Sequence, residues 1–260
     1  EGYHGNTIAN IDISPYKHKG PGGKGRPNWV HEIPMPYVYR GKYRDPINAG
    51  KLYADEVKKT CEKLSKEGIS PAAFICESML GCGGHVPLPD NFLKQTYKYV
   101  RHSGGLCIAD EVQVGFGRVG KSFWSFELQD VIPDIVTLGK PIGNGHPLGA
   151  VITRREIAEV FANGMEYFNT FGGSQVSCSV GMAVLDVIES EELCQNALKT
   201  GGWLKQKIIE LKKSFQIIGD VRGEGFFLGI ELVLDHETKE PAPIHAAYLV
   251  ERMKSRKILL

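Results

Sequence analysis

The chain contains no Cys-x-x-Cys pair, no HExxH segment and no Cys/His cluster at zinc spacing, so the common signatures of a metal site are missing. Its six cysteines, Cys61, Cys76, Cys82, Cys107, Cys178 and Cys194, form no dense framework. That excludes a disulfide-stapled secreted module and fits a reducing compartment or the mitochondrial matrix. No apolar run approaches the roughly 20 residues of a membrane-spanning helix, so no membrane partner is expected. Neither sign of charge is in excess: 31 Lys and Arg stand against 30 Asp and Glu, for a net charge of +1. A nucleic-acid partner is therefore not expected. The densest basic group, Lys17, Lys19, Lys24 and Arg26, lies among glycines and prolines and reads as a solvated loop. Internal repeats and low-complexity tracts are also missing. So is an initiator methionine: the chain opens on EGYHGNT and closes on the strand-like KILL, as expected of a segment of a longer protein whose targeting signal is out of view.

What is present is the composition of a globular protein, 260 residues with 42% hydrophobic and 23% charged side chains. Residues 1–27 read as loop with one short helix, and 28–36 as a strand ended by prolines. Apolar spacing predicts helices at 52–64 and 90–103, the second capped by Asp90. Helices are also predicted at 154–163, 175–190, 192–213 and about 243–256. Strands are predicted at 71–77, 106–110, 135–138 and 148–153. Strands alternating with helices predict an α/β fold with a mostly parallel sheet. After Gly219 the texture changes to DVRGEGFFLGIELVLD, expected to begin a smaller C-terminal α+β domain. The expected division is a large domain over 1–210 and the start of a small one over 211–260.

Ligands of open α/β sheets bind beyond the carboxyl ends of the strands. Two apolar runs, LCIAD and DIVTL, lead there to Asp110 and Lys140. An amine condenses with an aldehyde, and a carboxylate holds a ring nitrogen protonated, so the pair points to pyridoxal phosphate on a Schiff-base lysine. Desolvation among the surrounding glycines and prolines would favour the neutral, nucleophilic amine. Taken singly, each residue also has a plainer reading, as a solvated lysine or an acid at a strand end. Glu77 ends the run PAAFICE and is expected at the same sheet edge as Asp110. GFGRVG at 115–120 formally matches a dinucleotide fingerprint but lacks the preceding strand and following helix. It reads instead as a turn that lets a ligand approach the backbone. Tyr3, His4 and Gly5 form an aromatic and polar cluster able to stack on a planar ring, or an ordinary loop. Thr170 precedes a helix predicted from Ser174, where a hydroxyl and backbone N–H groups suit a phosphate or serve as a plain cap.

Together YHG at 3–5, Glu77 with its following glycines, IADEVQVGFGRVG at 108–120, TLGKPIGNGHP at 137–147 and YFNTFGGSQVSC at 167–178 resemble the class III aminotransferases, fold type I pyridoxal-phosphate enzymes. The resemblance implies that Lys140 forms the Schiff base with the cofactor and Asp110 pairs with its ring nitrogen. It further implies that Tyr3 stacks on one ring face, Val112 packs on the other, Gln113 nears the ring hydroxyl and Thr170 reaches the cofactor phosphate of a partner subunit. Gly5 and Glu77 complete the expected cofactor-binding set, and a homodimer with shared active sites is implied. ESMLGCGG at 77–84, GRVGKSFWSF at 117–126 and GMEYFNTFGG at 164–173 resemble the phospho-lyase subgroup, which acts on small phosphorylated amines. Family aminotransferases often carry a second glutamate where Cys82 stands, so this residue points away from ordinary transamination. Arg118, Lys121 and His85 lie near the segments that could meet a substrate phosphate, though each also reads as a solvated surface residue. By the same resemblance the chain starts after the family's Gly-rich phosphate loop and stops before its C-terminal substrate segment. A mitochondrial or cytoplasmic location is implied.

Overall fold

A computed structural model describes residues 2–260. The opening segment holds two short helices where one was expected, α1 (Ile8–Asp12) and α2 (Pro15–His18). Thr7 Oγ1 accepts from the Asn10 N–H at 3.4 Å to start α1, and Pro15 starts α2 at a position where its missing N–H costs nothing. The strand expected at 28–36 does not form. Pro34 and Pro36 cannot donate to a ladder, and the segment runs as a connector that packs Ile33 and Met35 on the core.

Helix α3 (Ala49–Lys66) buries Tyr53, Ala54, Val57, Cys61 and Leu64, one stripe at helical spacing. Strand β1 (Ala73–Glu77) follows, then a short antiparallel pair, β2 (Met79–Leu80) and β3 (Val86–Pro87), which the sequence reading lacks. Helix α4 (Phe92–His102) is entered through Asn91, not the expected Asp90. Asn91 sits at φ 64, a left-handed conformation that asparagine tolerates. Beyond it come β4 (Leu106–Asp110), β5 (Ile135–Leu138), β6 (Ala150–Thr153), α5 (Arg155–Phe161), α6 (Gln175–Ser190) and α7 (Leu193–Lys212). The chain ends with a hairpin, β7 (Ile218–Glu224) and β8 (Phe227–Leu232), and α8 (Pro243–Ser255).

The main sheet has the order β1-β4-β5-β6, parallel throughout except for β6, which runs antiparallel to β5. The α/β class and mostly parallel sheet are thus as expected. Helices α3 and α4 pack on each other over one cluster, in which Tyr53, Phe92, Leu93 and Tyr97 are almost wholly buried. Hairpin β7–β8 forms a separate sheet that packs on α7 and β3. Among the described residues no helix is long and apolar enough to cross a membrane.

The turn GFGRVG serves a different purpose from the one expected. A Cβ on Gly117 would lie 2.3 Å from Cys194 Sγ, and one on Gly120 2.5 Å from the Leu198 nitrogen, so these glycines admit α7 and not a ligand. Helix α7 in turn has Gly201 against the β7–β8 turn, where a Cβ would lie 2.0 Å from the Gly225 oxygen. Gly201→Ala therefore sets a helix-propensity gain of about 1 kcal/mol against a backbone clash, and overpacking of this kind costs about 1–3 kcal/mol or more. The clash wins because a carbonyl cannot swing aside as a side chain can. The expected result is a lower urea midpoint at unchanged slope in the full-length protein.

Candidate active site

Parallel pairing puts Glu77 in register with Asp110, and Asp110 in register with Thr137, so three strands present their carboxyl ends along one edge. Both acids are buried there, each about 5% exposed. Glu77 Oε1 accepts the Tyr3 N–H at 3.1 Å and its Oε2 the Gly81 N–H at 2.8 Å. Burial raises its pKa above the usual carboxylate value, partly offset by those two donors. Asp110 Oδ1 accepts the Val112 N–H at 3.0 Å, and its Oδ2 lies 2.7 Å from His4 Nδ1. The YHG segment is thus fastened over the sheet edge by two carboxylates. His4 is the residue whose role the sequence did not reveal, because the aspartate it meets lies 106 positions away.

Glu111, next to Asp110, faces the other way. It is fully buried and accepts the Ser125 and Phe126 N–H groups, each at 2.9 Å, capping the 3₁₀ turn Ser125–Gln129. Burial pushes its pKa up to about 7. It braces the loop behind the site and does not belong to it.

Lys140 stands two residues beyond the end of β5, at φ 34, a conformation that a residue with a side chain adopts only when its surroundings impose it. Its side chain is exposed, so this chain does not supply the desolvation expected around the amine. It opens into a cleft of about 680 Å³ that Gln113, His85, Arg118, His146 and Phe227 also line. Val112 touches the glycine before the lysine: a Cβ on Gly139 would lie 3.1 Å from Val112 Cγ1. Gln113 Oε1 crowds Gly81, where a Cβ would come within 1.9 Å.

The other expected residues are more scattered. Tyr3 is half-buried, with its ring edge-on to Tyr16 at 5.8 Å. Gly5 adopts φ 118, which a side chain there would resist. Thr170 lies exposed in the loop before α6, whose N-cap is Ser174, and is not part of the cleft lining. Lys121 pairs with Glu224 at 3.1 Å and also stays out of the lining. Among the described residues no group of three or more His, Cys, Asp or Glu could hold a metal ion.

A buried acid and an accessible amine on neighbouring strand ends, beside a cleft of ligand size, invite comparison with known proteins. Residues 1–256 match the family described as Aminotransferase class-III. The chain belongs to this family. A protein named Alanine--glyoxylate aminotransferase 2-like, from Drosophila melanogaster, is 49% identical over 257 residues, covering 97% of this chain and 52% of its own length. Ethanolamine-phosphate phospho-lyase homolog 1 of Caenorhabditis elegans is 40% identical over 271 residues, covering 99% of this chain and 58% of its own. Among solved structures, an Arthrobacter phospholyase in complex with phosphoethanolamine superimposes with a TM-score of 0.90 at 32% identity, over 99% of this chain and 60% of that one. This class-III aminotransferase chain therefore spans little more than half the length of these relatives.

Proposed function

We propose that the full-length protein uses pyridoxal phosphate to eliminate phosphate from a small phosphorylated amine, O-phosphoethanolamine or phosphohydroxylysine. The observation that carries this reading is the placement of Asp110 and Lys140 on adjacent strand ends, one buried and one open to the cleft. The cofactor fits the residues present: an aldehyde needs a reachable amine, a ring nitrogen needs a fixed carboxylate, and about 680 Å³ lies within the range of small-molecule sites. Family membership supports the same cofactor.

Bound there, pyridoxal phosphate supplies an aldehyde that joins to amines and a ring that accepts the electron pair left when a neighbouring C–H bond breaks. Lys140 Nζ would hold the cofactor through its aldehyde and, once freed, would serve as the base for the proton on the substrate carbon next to nitrogen. Asp110 would keep a proton on the ring nitrogen, and His4 fixes the direction of that carboxylate. Tyr3 and Val112 would pack against the cofactor ring and Gln113 would approach its hydroxyl, while Glu77 holds the Tyr3 main chain and Gly5 allows its turn. The net reaction consumes one phosphorylated amine and one water and yields an aldehyde, ammonia and inorganic phosphate.

Thr170 serves the cofactor phosphate of a second copy of the chain. Its surroundings support this: Phe161 at the end of α5 and Met165, Tyr167, Phe168 and Phe171 in the loop are all exposed, an apolar face that a homodimer would cover. Residues to about 210 form the large cofactor domain and the separate β7–β8 sheet begins the small one.

A second reading, transamination, is favoured by the name of the Drosophila relative. It uses the same lysine and aspartate but returns the proton to the cofactor. The two separate in one assay on the full-length, cofactor-loaded protein given O-phosphoethanolamine without a keto acid. Phosphate release over many turnovers is the expected result. A single turnover that resumes only when a keto acid is added would establish the transaminase instead.

A further inference from the structure

The cleft beside Lys140 is lined by basic groups and by no acid. Arg118 contributes a permanent charge, Lys140 an amine and His85 and His146 imidazoles, while Glu77, Asp110 and Glu111 are not among its lining residues. His146 is engaged, with Nε2 2.9 Å from Ser177 Oγ. Arg118 is different: among the described residues no carboxylate pairs with its guanidinium, whereas nearby Lys121 pairs with Glu224 and Arg222 with Glu231. Its main chain is nonetheless fixed, because its carbonyl accepts the Phe226 N–H at 3.0 Å and the residues on either side, Gly117 and Val119, are buried. Arg118 itself is exposed, so an unpaired guanidinium is carried from a fixed stretch of main chain to the cleft, an arrangement suited to reading a ligand.

His85 is held with similar firmness. It sits at φ 54, with its ring 4.4 Å from that of Phe227. The preceding carbonyl, of Gly84, accepts from both Nε and Nη2 of Arg222, at 2.9 and 2.7 Å. Arg222 is itself clamped by Glu231 at 2.7 Å and Asp220 at 3.2 Å. Burial, followed by the charge of Arg222, lowers the His85 pKa, leaving a neutral ring with one N–H to donate near pH 7.

We propose that Arg118 and His85 form the subsite for the substrate's phosphoryl group, and that Arg222 is a positioning residue that sets His85 through the Gly84 carbonyl. This rests on reading the cleft as the place where a phosphorylated amine meets Lys140. A guanidinium presents paired donors to two oxygens of a phosphate, and His85 adds one donor to the third. Charge on the phosphate grows as its bond to carbon breaks, so the same contacts assist departure.

The test uses the full-length, pyridoxal-phosphate-loaded protein, with inorganic phosphate as the probe. Wild type is expected to bind inorganic phosphate in competition with O-phosphoethanolamine. Arg118→Gln should raise both the KM for O-phosphoethanolamine and the inhibition constant of inorganic phosphate by about 10- to 100-fold, and His85→Leu by about 10-fold, with the cofactor's Kd and visible band unchanged. Arg222→Lys, which loses the paired bonds to Gly84, should raise the same KM alone but add nothing in a His85→Leu background. A weakened cofactor Kd at unchanged KM would mean that the pair holds the cofactor's phosphate, and would overturn the proposal. Unchanged constants in Arg118→Gln, or a wild type indifferent to inorganic phosphate, would overturn it too. If wild type releases no phosphate from the substrate yet binds inorganic phosphate through Arg118, the lyase reading fails and the subsite stands.

Discussion

Lys140→Ala in the full-length protein should lower phosphate release from O-phosphoethanolamine by at least about 10³-fold, since both its covalent and its proton-transfer roles are lost. The loss falls on chemistry and not on folding. Lys140 is exposed, so truncation empties no packed site. Its φ of 34 is equally strained for alanine, because the clash comes from Cβ, which both residues possess. Thermal midpoints of the cofactor-free variant and cofactor-free wild type should therefore agree to within about a degree, surface changes usually lying within about ±0.5 kcal/mol. Cofactor soaked into the variant should show the absorbance of the free aldehyde instead of the lysine-linked form. Adding a small primary amine should restore part of the proton transfer. Turnover near the wild-type rate in Lys140→Ala would falsify the assignment, and with it either reading of the reaction.

Asp110→Asn changes one charge and almost no volume, yet the fall expected in kcat is about 10²- to 10³-fold. Near a carboxylate the ring nitrogen keeps its proton; beside a neutral amide that preference is lost, and a change of one pKa unit is already about 1.36 kcal/mol. The effect on stability is smaller. The amide oxygen of the variant can still accept from the Val112 N–H, as the Asp110 carboxylate does at 3.0 Å, and only the contact to His4 loses its charge assistance, worth about 1–2 kcal/mol. The decisive comparison is kcat against cofactor affinity. A large fall in kcat with the cofactor retained places Asp110 on the ring nitrogen. Equal losses in both, or a kcat within about 3-fold of wild type, would remove it from that role.

The parts of the site written in the sequence are those that lie within one strand and its following turn. Strands β4 and β5 announced themselves as short apolar runs, and their polar successors, Asp110 and Lys140, were legible as a pair for that reason. The role of His4 was not legible, because nothing local tells a loop imidazole that its partner lies at the end of β4. The glycines of GFGRVG are ambiguous in sequence: it shows that Gly117 and Gly120 leave room, and only packing shows that α7 takes it. The strand expected at 28–36 failed where prolines outweighed apolar content. Arg118 and His85 were visible as residues near the right segments, but the feature that distinguishes Arg118 from Lys121, the presence or absence of an acid beside it, exists only in space.

By itself, then, the sequence determined the alternation of elements, the mostly parallel sheet, and the two side chains delivered to its edge, because strand period and burial are encoded within a handful of neighbouring residues. The tertiary structure decided what those side chains meet. The register that sets Glu77 beside Asp110, the histidine that orients the aspartate, the clamp of Arg222 on Gly84 and the acid-free lining of the cleft all join residues far apart in the chain. Contacts of that kind are fixed by the packing of whole elements, and packing depends on shape in three dimensions that no local pattern carries.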